Sequence, residues 1–129
     1  MALNVLIVDP SREARETLKG SLSQVLGDIV FGEAQDARTA LVEIARKKVE
    51  LIVANLEVPG LEGKVFLRKL YSARGDGRQP IVALLNRITP ELLVEFRKDP
   101  MVWFVQKPVV PGEIAGLAGQ LLQSSSLPA

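Results

Sequence analysis

The chain has 129 residues, 47% of them apolar and 24% charged, which suits one domain with a single sizeable core. Sixteen basic residues against fifteen acidic ones leave a formal net charge of +1, so there is no electrostatic footprint for direct binding of nucleic acid or a membrane surface. Cysteine and histidine are both absent, which excludes disulfides, thiolate nucleophiles, cysteine–histidine zinc sites and every imidazole mechanism.

Short apolar runs alternate with longer amphipathic stretches five times along the chain. Leu3–Val8 reads as a buried strand that ends in a turn at Asp9-Pro10. It is too short for the core of a secretory signal and has no basic leader, and no run approaches a membrane span, so a cytoplasmic location is expected. A helix starts after Ser11, whose hydroxyl caps the free amides. Its inner stripe is expected at Ala14, Leu18, Leu22 and Val25, and Gly27 ends it. Residues 28–34 form a second, less apolar strand, placed at or near a sheet edge. Asp36 caps a helix with Ala37, Ala40, Leu41, Ile44 and Ala45 on one face; the Arg46-Lys47-Lys48 cations suit its C-terminal dipole.

Residues 50–55 form the third strand, and its unbroken apolar run is that of a central parallel strand covered on both faces. After a loop opened by Pro59-Gly60, Phe66, Leu67 and Leu70 form the inner face of a third helix. Residues 74–79 are polar and glycine-containing, hence a loop, and Ile81–Leu85 is strand four. Thr89-Pro90 supplies a capping hydroxyl and a proline at the first helical position; Leu92, Leu93 and Phe96 are expected to face inward, and Asp99-Pro100 stops the helix. Residues 101–105 form strand five. Pro111 opens a last helix that buries Ile114, Leu117, Ala118 and Leu121. Residues 1–123 are thus one domain, and 124–129 a flexible tail or the start of a linker.

Five strand–helix units imply an α/β fold, a doubly wound five-stranded parallel sheet with helices on both faces. Functional groups in such sheets collect at the carboxyl ends of the strands. Asp9, Asn55, Leu85 and Lys107 all fall at or just past strand ends, so the topology places them around one pocket.

Leu6-Ile7-Val8-Asp9, Leu51-Ile52-Val53-Ala54-Asn55 with Pro59-Gly60 after it, Pro80-Ile81-Val82 and Lys107-Pro108 together resemble the receiver domain of two-component response regulators, over about residues 3–122. The resemblance implies a flavodoxin-like sheet of strand order 2-1-3-4-5. It also implies an aspartate that accepts a phosphoryl group, a pair of acids holding magnesium, a hydroxyl after strand four, and a lysine before a proline that can be cis. Asn55 stands at the acceptor position, Pro10 replaces one acid of the pair, and Leu85 stands where the hydroxyl belongs. Asn86 follows at a position the family keeps small. Of the five parts only Asp9 and Lys107 remain, and the expectation is that they pair directly as a structural bridge. No magnesium or other cofactor is expected; a residual metal route would use Asp9 and Glu57, through its carbonyl and carboxylate. Phe104, at the family's switch aromatic, is expected to be packed rather than rotating.

The resemblance therefore implies a pseudo-receiver, a non-enzymatic signalling module that works through protein contact. Its expected surface is the face of the last two helices and strand five, 89–122, with Trp103, Val94, Arg97 and Lys98 as partner-binding candidates and a homodimer through the same face as one form of contact. A second reading keeps the phosphorelay, through another phosphorylated residue or by docking a phosphohistidine protein. Ser11, Thr39 and Thr89 read better as helix caps or helix-face residues than as kinase targets. A nucleotide- or flavin-binding enzyme on the same fold is the remote alternative, because Asp9-Pro10-Ser11-Arg12-Glu13 has no phosphate-binding glycine. Aromatic residues at 5% give no base-stacking platform.

Overall fold

A strand whose consecutive residues are all apolar must bury both of its faces, and this requirement organises the molecule. The computed structural model describes residues 2–74 and 79–125. In chain order the elements are β1 (Leu3–Val8), α1 (Arg12–Leu26), β2 (Ile29–Ala34), α2 (Ala37–Arg46) and β3 (Leu51–Asn55). They continue with α3 (Gly63–Ala73), β4 (Ile81–Leu85), α4 (Pro90–Phe96), β5 (Val102–Gln106) and α5 (Pro111–Ser125). The five strands form one parallel sheet in the order β2-β1-β3-β4-β5, as the resemblance implied. Every residue of β3 and β4 is buried, whereas β2 lies at the edge and is only partly covered.

Alternate strand residues feed two core layers. Leu6, Val8, Ile52, Ala54, Ile81 and Ala83 pack with α2, α3 and α4. Val5, Ile7, Leu51, Val53, Val82 and Leu84 pack with α1 and α5. Ser11, Asp36 and Thr89 cap their helices as expected, accepting from the N–H groups of Ala14, Thr39 and Leu92. Gly27 ends α1 at φ +81°, a conformation that costs glycine little.

Three residues placed inside by the periodicity lie outside. Val25 is 53% exposed because the buried line of α1 runs from Leu18 through Leu22 toward Leu26, in steps of four. Leu93 is 47% exposed: in the short helix α4 the inner line is Leu92 and Phe96, and Leu93 sits 100° around from Leu92. Ala45 is exposed for the same reason beside Ile44. The second and third strands begin one residue later than expected, and β5 is shifted by one residue toward the C-terminus. Of the expected loop 74–79, residues 75–78 lie outside the described residues. Arg74 is no loop ornament: it is 4% exposed, donates to the Gln79 carbonyl at 2.8 Å and pairs with Asp99 at 2.6 Å. Helix α5 runs to Ser125, into the segment expected as a tail; 126–129 lie outside the described residues. Among the described residues no helix is long and apolar enough to cross a membrane.

Candidate functional site

The carboxyl ends of β1, β3 and β5 deliver Asp9, Asn55 and Lys107 to one place. Asn55 is the last residue of β3 and pairs in register with Leu84 of β4, so its side chain is held at the centre of the sheet's edge. The chain beyond it is pinned at two points. The Leu56 N–H donates to the Leu84 carbonyl at 2.8 Å. Gly63 opens α3 so close to Leu56 that an added Cβ would sit 3.1 Å from the Leu56 carbonyl oxygen. Lys107 is placed by its own N–H, which donates to the Leu85 carbonyl at 2.8 Å, and the Lys107–Pro108 peptide bond is cis.

Asn55 is 6% exposed and its amide is used from both ends. Its Oδ1 accepts from the Glu57 N–H at 2.9 Å and from Lys107 Nζ at 2.8 Å. Neither group can accept a hydrogen bond, so the oxygen must face them and the NH2 must face away. That NH2 donates to Asp9 Oδ2 at 3.3 Å. The other Asp9 oxygen accepts from the Ser11 N–H at 2.8 Å, and the Asp9 carbonyl accepts from Arg15 Nη1 at 2.7 Å.

The direct Asp9–Lys107 pair expected from the sequence does not form. Asn55 stands between the two, donating to one and accepting from the other, and Lys107 forms its ion pair with Glu57 Oε1 at 2.6 Å. The second Glu57 oxygen accepts from the Asn86 N–H at 2.7 Å. Glu57, weighed from the sequence only as a weak metal ligand, is thus a centre of the network. The signal that could have found it is a second acid two residues past the end of β3, within reach of the one lysine at the strand ends. Arg15 was missed altogether; it also bonds Glu33 at 2.9 Å, tying α1 to the edge strand beside Asp9.

The remaining site positions are apolar or exposed. Leu85, expected around the same pocket, is 5% exposed and packs instead in the layer beneath α4, and Leu84 lines the cavity in its place. Pro10 and Asn86 are exposed. Phe104 is partly buried against the same layer, with its ring edge-on to Phe96 at 6.2 Å. Trp103 alternates to the other side of β5, is 48% exposed, and donates from Nε1 to the Pro100 carbonyl at 3.2 Å. Val94, Arg97 and Lys98 are exposed on and just after α4, where the misplaced Leu93 joins them. A cavity of about 480 Å³ opens beside the network between α1 and the β5–α5 connection, lined among others by Asp9, Ser11, Thr17, Asn55, Lys107 and Pro108.

Residues 5–118 match the response regulator receiver domain family. Among curated proteins the chain is 37% identical over 89 residues to a gliding motility regulatory protein of Myxococcus xanthus, covering 69% of this chain and 11% of that protein. It is 34% identical over 106 residues to protein-glutamate methylesterase/protein-glutamine glutaminase 5 of Myxococcus xanthus, covering 82% of this chain and 30% of that protein. The chain therefore spans less than a third of the length of either relative. Among solved structures, a response regulator receiver domain protein from Methanospirillum hungatei superposes with a TM-score of 0.81 at 19% identity, over 97% of both chains. The receiver domain of the Francisella response regulator 1452 gives 0.79 at 21% identity, over 96% of this chain and 99% of that one.

Proposed function

The chain belongs to the response regulator receiver family, and we propose that it is a member whose phosphoacceptor pocket has become a structural network, leaving a non-enzymatic signalling module that acts by protein contact. The observation that carries this reading is the doubly used amide of Asn55. An acceptor residue needs a free oxygen with nucleophilic character, aligned on an incoming phosphorus and backed by charge-stabilising groups. An amide oxygen is a poor nucleophile, and this one already accepts two hydrogen bonds. Leu85 contributes no hydroxyl, and Lys107 is engaged by Asn55 and Glu57.

Magnesium does not fit the residues present. Asp9 is satisfied by Ser11 and Asn55, and Glu57 by Lys107 and Asn86, so the two carboxylates are turned to separate partners. Among the described residues no group of three or more potential metal-ligating acids comes together. Two acids and one lysine leave a surplus of about one negative charge, smaller than the surplus of about two that three acids would offer a hard dication.

Contact is assigned to the face of α4, β5 and α5, which carries exposed Leu93 and Val94 on α4, the exposed cations Arg97 and Lys98 just after it, and exposed Trp103 on β5. An aromatic anchor with a charged rim is what a protein partner uses for affinity and for orientation. Incubation with acetyl phosphate and magnesium, read by intact mass, tests the pocket: no phosphoryl adduct is expected, and an adduct would sink the reading. Pull-down with Trp103→Ala tests the face, since capture of every partner at wild-type level would remove its support. A second reading, docking of a phosphohistidine protein without accepting its group, draws on the open cavity beside Asp9 and Lys107. It expects a titrated phosphohistidine protein to perturb residues of α1 rather than of α4.

A further inference from the structure

Three segments distant in the chain converge on one carboxylate. Glu57 follows β3, Asn86 follows β4 and Lys107 follows β5, and each Glu57 oxygen has one donor: Lys107 Nζ at 2.6 Å and the Asn86 N–H at 2.7 Å. Both lengths are those of charge-assisted bonds. The geometry is fixed from behind as well, because Asn55 Oδ1 holds both the Glu57 N–H and the Lys107 ammonium. An ammonium and a backbone N–H aimed at two oxygens of one group make a cradle for an oxyanion.

We propose that Glu57 is the resident anion of this cradle, a built-in carboxylate ligand that holds the β4–α4 connection in one position and excludes external oxyanions. The connection is short and tethered along its length. Asn86 is bound by Glu57, the Ile88 N–H donates to Gln106 Oε1 at 3.2 Å, and Thr89 caps α4. Fixing its first residue therefore fixes the start of the helix that carries Leu93 and Val94. The proposal deepens the reading of the pocket as non-catalytic and rests on it: a carboxylate that is part of the chain sets the α4 surface with no phosphoryl transfer.

Removing the Glu57 side chain leaves the two donors without an acceptor and Lys107 without its direct ion-pair partner, a place that a small oxyanion can fill. The side chain is 39% exposed, so its loss opens no core cavity. The test titrates the whole chain with sodium sulfate, against sodium chloride at matched ionic strength, following the Asn86 amide resonance. Glu57→Ala is expected to bind sulfate saturably, at least about tenfold more tightly than the wild-type chain. Adding Lys107→Gln to that variant is expected to abolish the response. An equal response in wild type and Glu57→Ala, or none in Glu57→Ala, overturns the proposal. The isosteric Glu57→Gln gives a second readout, because loss of the charged acceptor should speed Asn86 amide exchange by about tenfold. Unchanged exchange would count against the resident carboxylate. Phosphoryl transfer to the wild-type chain would instead strike the non-catalytic reading, so the two failures are distinguishable.

Discussion

On the proposed reading Asn55 stands at the acceptor position, so Asn55→Asp is expected to destabilise the protein without making it phosphorylatable. The aspartate keeps an oxygen for Lys107 and for the Glu57 N–H but loses the NH2 that Asn55 donates to Asp9. Its second oxygen then faces the Asp9 carboxylate at the 3.3 Å now spanned by that hydrogen bond. At an effective dielectric of about 20, two unit charges at that distance repel by about 5 kcal/mol, and the new attraction to Lys107 at 2.8 Å gives back about 6 kcal/mol. These terms nearly cancel. What remains is the lost hydrogen bond to a charged acceptor, worth about 1.5–3 kcal/mol, together with desolvation of a second carboxylate where Asp9 and Asn55 are 8% and 6% exposed. A net loss of about 2–3 kcal/mol follows.

Urea unfolding at neutral pH reads this as a lower midpoint with an unchanged slope. Millimolar magnesium should recover part of the loss in Asn55→Asp and little in the wild type, because only the variant has three carboxylates around one lysine. The reciprocal swap, Asp9→Asn with Asn55→Asp, returns a donor to the pair while preserving the acceptor for the Ser11 N–H. It should recover at least about half of the stability, a coupling that a double-mutant cycle isolates. A variant as stable as wild type, or a phosphoryl adduct on Asn55→Asp alone, would refute this reasoning.

Asp99→Asn should cost about 3 kcal/mol at neutral pH, because it leaves the Arg74 guanidinium, 2% exposed, without its counter-charge. Burial pushes the Asp99 carboxyl up, but the Arg74 guanidinium, the Met101 N–H and the Tyr71 hydroxyl together hold it below its ordinary value. A depressed carboxylate stabilises above its unfolded pKa and loses that contribution as pH falls through the folded value, so the gap between wild type and Asp99→Asn should close below about pH 4. Urea midpoints at neutral pH and at pH about 3 check this, and a constant gap would contradict it. Leu85→Ala should lose about 2–4 kcal/mol as a core truncation, measured by thermal or urea unfolding. Leu85→Thr, which puts a hydroxyl where the resemblance implies one, should also destabilise by about 2 kcal/mol because the group enters an apolar layer. A thermally neutral Leu85→Thr would mean that this layer has room for a hydroxyl and a partner for it.

The apolar runs determined the sheet because a continuous run leaves a strand no choice but burial on both faces, and β3 and β4 have none exposed. Helix faces were less legible. A stripe can step by three or by four, and one such step separates exposed Val25 from half-buried Leu26. Buried Arg74 could not be foreseen, since nothing in a polar loop sequence marks a guanidinium that closes onto a residue 25 positions away. At the site, topology brought Asp9, Asn55 and Lys107 together correctly, but their pairing depends on ångström-scale reach rather than on charge. Two opposite charges suggested a direct bridge. The amide between them is the better connector, because it is neutral and donates at one end while accepting at the other.

That property also bears on why an asparagine is stable at this position. A carboxylate there repels Asp9, an aliphatic residue leaves Asp9 Oδ2 and the Glu57 N–H without partners, and a hydroxyl is too short to span from Asp9 to Lys107. The amide satisfies all three neighbours while leaving the Lys107 ammonium free to reach Glu57. Asn55 and Glu57 therefore act as a pair. The first joins Asp9 to Lys107 without adding charge, and the second ties the lysine to the β4–α4 connection. Reverting one without the other leaves the lysine contested between two acids, which is why a single substitution at residue 55 is expected to damage the network rather than revive the reaction.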